Sequence, residues 1–313
     1  MNTEILILIS TFNGEKYLKQ QIDSLLNQTY KKISIIVRDD GSSDKTIEIL
    51  SNYNIIKIDS NKNIGPKKSF SKLLNYALKH SNAKYFMFCD QDDIWEENKV
   101  EITFQKMKES EIKHGAIPLL IHTDLKIVNE HMNVINTSFW KHQLIIPKLN
   151  SFNRLIMQNT ITGCTSMINK ALAEKCTCIP NSAIMHDWWI GLVASKFGKI
   201  YFIKDSTVRY RQHNNNAIGA KGLNINISRK IISIITLIFK KGNKNLDFMD
   251  VNIKQAHAFL NIFEKELSIK DNKTLAELIN IKRKKTFQRK YFLLKNQFLK
   301  QGLIRNIVLI IKT

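Results

Sequence analysis

The first hundred residues alternate short apolar runs with segments whose apolar positions recur at helical spacing. Residues 5–9 form an unbroken run of Ile and Leu, as in a strand that is covered on both faces. Residues 18–26 then place apolar side chains at the period of a helix. Three further strands are predicted, at 33–37, 55–58 and 85–89. This order of elements predicts an α/β fold with parallel strands.

The later sequence gives a coarser pattern. Pro66 stands where it would open a helix, because proline suits the first helical turn. A strand is predicted at 119–121 and a helix at 187–197. Two short strands are predicted after that helix, at 200–203 and 207–210. Beyond Gly219 the chain becomes rich in Asn, Lys and Ile with helical spacing, so a helical region is expected to follow the α/β region.

Composition and charge support this division. The chain has 313 residues, of which 43% are hydrophobic and 9% aromatic, and this excludes a disordered basic tail protein. The net charge is +21, and residues 221–313 carry two thirds of the excess, with 20 basic and 6 acidic side chains. We therefore predict a nearly balanced α/β domain over 1–220 and a basic helical region over 221–313 that docks on something anionic.

Cysteine usage and the lengths of the apolar runs indicate the compartment. The four cysteines lack CxxC spacing, so we expect buried thiols in a reducing compartment and no zinc site. The first apolar run lacks the basic flank and the length of a signal peptide. The run 231–239 is far shorter than the ~20 residues of a spanning helix. We expect a cytoplasmic protein that does not cross a membrane.

Polar clusters follow three of the predicted strands at the point where each strand ends. They are Ser10-Thr-Phe-Asn13, Asp39-Asp-Gly-Ser42 and Asp90-Gln-Asp-Asp93. Each cluster alone also suits an ordinary turn or a helix cap. Because ligands of open α/β sheets bind beyond the carboxyl ends of the strands, the three together predict one site. Neighbouring carboxylates suit a shared Mg²⁺ or Mn²⁺ that bridges to substrate phosphates, so a diphosphate-bearing substrate is implied.

Two common nucleotide-binding motifs are excluded. Residues 41–46 resemble the tail of a P-loop, but the first glycine is missing and Asp44 stands where the second is required. No GxGxxG follows the first strand, which excludes a dinucleotide redox enzyme of that kind.

Several segments resemble the ordered motifs of family-2 glycosyltransferases, which have the GT-A fold. The matching motifs are Ile9-Ser-Thr-Phe-Asn-Gly14, Arg38-Asp-Asp-Gly-Ser-Ser-Asp44, Asn63-Ile-Gly65 and Asp90-Gln-Asp-Asp-Ile-Trp95. Three later segments extend the resemblance to bacterial rhamnosyltransferases of cell-surface polysaccharide synthesis. They are Asn159-Thr-Ile-Thr-Gly163, Met185-His-Asp-Trp-Trp189 and Tyr210-Arg-Gln-His213. The resemblance covers residues 4–220 and implies a nucleotide-binding sheet joined to an acceptor-binding half.

The resemblance implies a donor site and a metal site. The residues it assigns to the nucleotide-sugar are Ser10, Thr11, Phe12, Asn13, Asp39, Asp40, Lys68, Asp90, Gln91 and Arg211. The residues it assigns to Mg²⁺ or Mn²⁺ are Asp92, Asp93 and His213. Among these, Asp40 would accept the N–H of the base, beside Asp39, and Lys68 would neutralise a phosphate. The alternatives are a solvated helix lysine for Lys68 and a surface histidine for His213.

Asp187 is implied as the catalytic base. It stands between His186 and two tryptophans, surroundings that can desolvate a carboxylate and raise its basicity. From the sequence alone a helix N-cap is the favoured role, and the resemblance reverses that order. The residues assigned to the acceptor are Thr162, Gly163, Trp95, Trp188 and Trp189. The tryptophans would stack on a sugar ring, with core packing as the alternative.

The implied reaction is inverting transfer of a sugar to a hydroxyl of a growing, lipid-linked surface glycan. L-Rhamnose from dTDP-rhamnose is the first candidate, and a UDP-hexose (glucose or galactose) is the nearest competitor. A nucleotidyltransferase, which would not need the Asp187 region, is a further alternative. A nucleic-acid-binding protein is suggested by charge alone, and we do not expect one, because the basic region lacks a recognised nucleic-acid fold motif.

Two apolar stretches of the basic region are flanked by cations. One is 231–239, which lies between Arg229-Lys230 and Lys240-Lys241. The other consists of Phe287, Tyr291, Leu294 and Phe298 among Lys284, Lys285, Arg289, Lys290 and Lys295. Basic amphipathic helices suit the anionic inner face of the plasma membrane. Packing on the α/β domain or in a homodimer is the alternative.

Overall fold

A computed structural model describes most of the chain and divides it into two units. The described residues are 3–58, 60, 62–213 and 246–313. Those of the first unit lie within 3–141, 161–179 and 185–213. Those of the second unit are 142–160, 180–184 and 246–313. The α/β domain predicted over 1–220 included 142–160 and 180–184, which belong to the second unit. The predicted boundary after residue 220 and the run 231–239 lie outside the described residues.

The first unit is built on one sheet. Its strands are β1 (Ile5–Thr11), β2 (Ile33–Asp39), β3 (Ile56–Ile58), β4 (Tyr85–Cys89), β5 (Ile94–Trp95), β6 (Leu119–Val128), β7 (Val134–Asn136), β8 (Ser166–Asn169) and β9 (Lys199–Arg211). They are ordered β3-β2-β1-β4-β8-β6-β9-β5, and β7 pairs with β6. Strands β1 to β4 run parallel, while β8 is antiparallel to β4 and β6. The predicted α/β class is confirmed, and the two short strands predicted at 200–203 and 207–210 form the single strand β9.

Helices follow the strands in the expected alternation. In chain order they are α1 (Leu18–Leu26), α2 (Thr46–Ser51), α3 (Pro66–His80), α4 (Lys99–His114), α5 (Phe139–Gln143), α6 (Phe152–Met157), α7 (Lys170–Lys175), α8 (His186–Phe197), α9 (Asp250–Phe263), α10 (Ile269–Ile279), α11 (Thr286–Lys295) and α12 (Leu303–Lys312). Pro66 is the first residue of α3, as predicted. Among the described residues, no helix is both long enough and apolar enough to span a bilayer.

The register of the first strands places their carboxyl ends at one edge of the sheet. Residues 5–9 of β1 are at most 2% exposed, because β2 and β4 flank the strand and helices cover both faces. Thr11 pairs with Asp39 of β2, and Ile9 pairs with Cys89 of β4. The polar segments that follow these strands therefore begin side by side.

The second unit is helical and has its own apolar core. Phe152 of α6 packs on Phe259 of α9, with ring centroids 4.7 Å apart. Phe298, one of the four apolar residues predicted to face a membrane or to pack, is fully buried and stacks on Phe292. Phe287, by contrast, is 80% exposed on α11. Phe298 lies three residues beyond the end of α11, so the helical spacing that joins it to Phe287 in the sequence does not place the two on one face.

Cysteine burial differs from the expectation at one position. Cys89, Cys164 and Cys176 are buried free thiols, as predicted, whereas Cys178 is exposed. Cys178 lies three residues beyond the end of the short helix α7, where the chain is at the surface.

Candidate active site

The loops that follow β1, β2 and β4 hydrogen-bond directly to one another. The amide of Phe12 donates to Oε1 of Gln91 at 2.8 Å, and Nε2 of Gln91 donates to the Phe12 carbonyl at 3.0 Å. Asn13 has φ 48°, and its amide donates to Oγ of Ser42 at 2.8 Å. Gly14 has no room for a Cβ, which would lie 2.5 Å from the Gln91 side chain. Hydrogen bonds thus join the three polar clusters at one edge, and Gln91 connects the loop after β4 to the loop after β1.

Ser10 and Thr11 point into the protein, whereas Phe12 is exposed. Oγ of Ser10 donates to Oγ of Ser69 at 2.7 Å, and Oγ1 of Thr11 donates to Oδ1 of Asp39 at 2.8 Å. The Phe12 ring is 43% exposed at this edge. Of these residues, Phe12 is the one whose side chain is accessible for stacking on a ligand.

Asp39 is occupied by hydrogen bonds from the end of β1 and from its own turn. Its two oxygens accept from Oγ1 of Thr11, from the amide of Gly41, and from the amide and hydroxyl of Ser42, at 2.6–3.0 Å. A carboxylate has about four lone-pair positions, so all of them are in use. The side chain shapes the turn after β2.

Asp40 is held in a similar way by a buried cation and by main-chain amides. Nη1 of Arg38 donates to its Oδ1 at 2.5 Å, and the amides of Ile64 and Gly65 donate to it at 2.7–3.0 Å. Arg38 is 1% exposed and also donates to Oγ of Ser69. Three N–H groups already donate to Asp40, which is 2% exposed, and this geometry argues against the role predicted for it. Asp40 instead anchors the segment that opens α3.

The sequence analysis did not single out Arg38. The sequence contained a signal for Arg38, because a positively charged side chain near the end of a buried strand needs a carboxylate partner close by. The adjacent Asp39-Asp40 pair supplied two candidates, and only the structure shows that Asp40 is the partner.

Two carboxyl groups of the acidic loop after β4, those of Asp90 and Asp93, have raised pKa values. Asp93 is fully buried, and its pKa is raised well above the usual range by burial and by the charges of Asp92 and Asp90. Burial, followed by the charges of Asp92 and Asp187, raises the pKa of Asp90 to about 7. The nearby Cys164 thiol lowers the pKa of both carboxyls and so partly offsets these shifts.

Two sets of side chains come close enough to hold a divalent cation. In one, Nε2 of His213 and Oδ2 of Asp92 form a hydrogen bond of 2.8 Å. Neighbouring ligands of an octahedral ion with bonds of about 2.1 Å lie about 3 Å apart, so this pair fits a shared Mg²⁺ or Mn²⁺. In the other, donor atoms of Asp90, Asp93 and Cys164 lie within 4.8 Å of one another. A thiol is a poor ligand for these hard ions, so the first pair is the better candidate, and the metal-binding role of Asp93 stays a prediction.

Asp187 lies in the first turn of α8, but it is not the helix cap. Met185 occupies the N-cap position, so the N-cap alternative is wrong. Oδ2 of Asp187 accepts from the Gly163 amide at 3.1 Å, and Oδ1 accepts from the Trp188 amide at 2.6 Å. A Cβ on Gly163 would lie 3.4 Å from Cβ of Asp187 and 3.0 Å from Nε2 of His186. The absence of a side chain at Gly163 leaves room for this close packing.

His186 fills the core behind Asp187. Its ring stacks on Phe70 with centroids 4.1 Å apart and also packs on Phe88. Burial lowers the pKa of His186 to about 3, so the ring is neutral at physiological pH. His186 therefore packs behind Asp187 without adding a positive charge.

Two of the three tryptophans assigned to the acceptor are buried. Trp95 is 2% exposed, with Nζ of Lys99 4.5 Å from the ring centroid, and Trp189 is not exposed at all. Neither ring can present a face to a sugar, so the predicted stacking role is wrong for both. Trp188 is partly exposed and remains available, as does Thr162.

Arg211 and Lys68 have opposite environments. Arg211, predicted to contact the diphosphate, is 2% exposed, and its guanidinium donates to protein oxygens. Lys68 is exposed in the first turn of α3. The structure therefore argues against a direct phosphate contact for Arg211, and the role of Lys68 stays a prediction.

The fold is that of the GT-A glycosyltransferases. The crystal structure of Staphylococcus aureus TarS 1–349 in complex with UDP matches 99% of this chain and 90% of its own, with a TM-score of 0.54. The two sequences are 17% identical, so this similarity concerns the fold alone.

Residues 6–176 match the family described as Glycosyl transferase family 2, and the chain belongs to this family. The dTDP-rhamnosyl transferase RfbG of Shigella flexneri is 29% identical over 229 residues, which are 68% of this chain and 74% of RfbG. An uncharacterised glycosyltransferase of Rickettsia typhi is 26% identical over 66% of this chain. That match spans 63% of the Rickettsia protein. The glucosyltransferase WfgD of Escherichia coli is 26% identical over 52% of this chain and 58% of its own.

Proposed function

We propose that this protein transfers a hexose from a nucleotide-sugar to a hydroxyl of a growing surface glycan, with inversion at the anomeric carbon. The observation that carries this proposal is the grouping at one sheet edge. Asp92 faces His213 at 2.8 Å, and Asp187 lies close enough to Asp90 for its charge to raise the pKa of that carboxyl. A base beside a cation-binding pair suits direct displacement of a diphosphate.

Asp187 is the proposed catalytic base. Its carboxylate takes the proton of the acceptor hydroxyl while the acceptor oxygen forms a bond to the anomeric carbon. The bond from that carbon to the diphosphate oxygen breaks, and its electron pair leaves with the nucleotide diphosphate. The Gly163 amide holds one carboxylate oxygen in place, so the base is oriented before substrate arrives.

Asp92 and His213 are the proposed holders of Mg²⁺ or Mn²⁺. Such an ion supplies charge neutralisation for the leaving diphosphate. Lys68, exposed at the start of α3, is proposed to add a positive charge near a phosphate. The exposed ring of Phe12 is proposed to stack on the nucleotide base.

L-Rhamnose from dTDP-rhamnose is the first candidate donor, and a UDP-hexose is the second. Similarity to the dTDP-rhamnosyl transferase RfbG supports the first. WfgD, whose name specifies UDP-Glc and a diphosphoundecaprenol-linked acceptor, supports the second, as does the TarS complex with UDP. The relatives therefore favour a lipid-linked glycan as acceptor without deciding the sugar.

A thermal-shift panel with Mn²⁺ tests the donor. We expect dTDP-rhamnose to raise the melting temperature more than UDP-glucose, UDP-galactose or GDP-mannose. A ligand at 100 times its dissociation constant stabilises the folded state by about 2.7 kcal/mol, which is a readily measured shift. Free dTDP and UDP serve as controls for binding through the nucleotide alone. A larger shift with a UDP-hexose would replace rhamnose, and no shift with any nucleotide-sugar would contradict the proposed reaction.

Helix α11 is the proposed contact with the inner face of the plasma membrane. It exposes Phe287 by 80%, Tyr291 by 57% and Leu294 by 49%, at positions that recur along one side of the helix. Lys285 and Lys295 are exposed at its two ends, and Nζ of Lys295 lies 5.6 Å from the Tyr291 ring. Apolar side chains bordered by cations match an anionic lipid surface.

Phe287→Ser should weaken binding to phosphatidylglycerol vesicles about tenfold, because an exposed aromatic side chain loses its burial in lipid. Co-sedimentation with vesicles measures the effect. In the unaltered protein, 0.5 M salt should also weaken vesicle binding about tenfold, because salt screens the attraction between lysines and anionic lipid. Ile269→Ser is the matched control, since Ile269 is 89% exposed on a different helix, α10. Equal loss in both variants would contradict the assignment to α11. A dimer that Phe287→Ser dissociates would favour self-association instead.

A further inference from the structure

Arg211 is the last residue of β9, and its buried guanidinium donates hydrogen bonds to protein oxygens. Nε donates to the carbonyl of Asp92 at 2.9 Å, Nη1 to the carbonyl of Glu130 at 2.7 Å, and Nη2 to Oε1 of Gln20 at 2.7 Å. The guanidinium also lies over the ring of Tyr17, with its carbon 4.2 Å from the centroid. A charge that is 2% exposed persists only when its donors are paired in this way.

These contacts converge on the acidic loop after β4. The guanidinium holds the main chain at Asp92, and the amide of Arg211 donates to Oδ1 of Asp93 at 3.1 Å. Arg211 therefore holds two consecutive residues of this loop, Asp92 and Asp93. Since the side chain of Asp92 projects from this fixed main chain, its orientation depends on Arg211.

The same residue also fixes the other half of the proposed ion-binding pair. His213 follows Arg211 by two residues, and its ring lies 5.0 Å from the Tyr17 ring that the guanidinium covers. Nε2 of His213 is 2.8 Å from Oδ2 of Asp92. Arg211 thus links the main chain that carries Asp92 to the strand end that carries His213.

We propose that Arg211 is a positioning residue that preorganises Asp92 and His213 for a divalent cation. This proposal rests on the proposed function, because it assumes that this pair holds the ion. Arginine is required because its planar fork sends three N–H groups to three separate oxygens while one face covers Tyr17. A lysine supplies a single ammonium that cannot reach all three.

Direct binding of Mn²⁺, followed by electron paramagnetic resonance on the full chain without donor, tests the proposal. We expect Arg211→Met and Arg211→Lys each to weaken Mn²⁺ binding about 10- to 100-fold, the usual cost of losing a residue that orients metal ligands. Arg209→Gln is the matched control. Arg209 lies two residues earlier on β9, is 44% exposed and pairs with Glu96, so its loss should leave the affinity unchanged.

The melting temperature of each variant shows whether it folds. A loss of Mn²⁺ binding in a folded variant then reports the positioning of Asp92 and His213 and not a loss of structure. A folded Arg211→Met protein that binds Mn²⁺ within about twofold of wild type would overturn the proposal, and so would full affinity in Arg211→Lys. If Arg211→Met does not fold, Gln20→Ala decides, because Gln20 is exposed and supplies one of the three acceptors. Gln20→Ala should weaken Mn²⁺ binding in the same direction by a smaller factor, and unchanged binding would overturn the proposal. A wild-type chain that binds no Mn²⁺ would contradict the metal site itself and this proposal together.

Discussion

Asp187→Asn should lose sugar transfer by a factor of roughly 10² to 10⁴ while it keeps its nucleotide-sugar, because only the base is removed. Asparagine has the same shape, and its single oxygen can still accept from the Gly163 amide, although the hydrogen bond from the Trp188 amide to Oδ1 is lost. The amide cannot take the proton of the acceptor hydroxyl. The loss should therefore appear in kcat, with little change in the affinity for the donor.

Initial rates and calorimetric donor binding, measured on the same protein samples, check this result. Asp205→Asn is the control, since Asp205 is an exposed carboxylate on β9 outside the site. A variant at position 187 with near-normal turnover would show that another group takes the proton. Loss of donor binding together with activity would instead place Asp187 in the donor pocket.

Asp92→Asn and His213→Gln should each weaken Mn²⁺ binding at least about 100-fold, since loss of residues that only orient ligands already costs 10- to 100-fold. Transfer at low Mn²⁺ should fall in parallel. The reason is geometric, because Oδ2 of Asp92 and Nε2 of His213 are 2.8 Å apart and each would supply one ligand atom to the ion. Removal of metal with EDTA should reproduce the loss in the unaltered protein, and added Mn²⁺ should reverse it.

Titration of activity against Mn²⁺, for each variant and for wild type, measures this effect. His80→Gln is the control, because His80 is exposed at the end of α3. Undiminished transfer by protein stripped of metal would contradict a metal-dependent reaction. Loss of transfer in Asp92→Asn with wild-type Mn²⁺ affinity would assign Asp92 to the donor instead of the ion.

Several site features followed from local signals in the sequence. Unbroken apolar runs marked β1 and β4, and the polar residues after them marked the strand ends. Because the first strands are parallel, a local pattern was enough to predict that Phe12, Gln91 and Asp92 lie at one edge. The direct hydrogen bonds between Phe12 and Gln91 agree with that prediction.

Other roles depended on partners far away in the chain. Arg211 looked like a free cation beside His213, yet it is buried against Gln20, 191 positions earlier. Asp40 looked available to a ligand, yet Ile64 and Gly65 occupy it, more than twenty positions later. Nothing in the residue type distinguishes a paired charge from an accessible one.

By itself, the sequence determined the fold class and the edge of the sheet at which the polar segments meet, because period and strand-end chemistry are local properties. Only the tertiary structure decided which charges are occupied and which rings are covered. Trp95 and Trp189 are buried, and Arg211 is satisfied by protein oxygens. The physical reason is that burial and hydrogen-bond pairing are set by what packs across a residue, and periodicity specifies only which side of its own element the residue occupies.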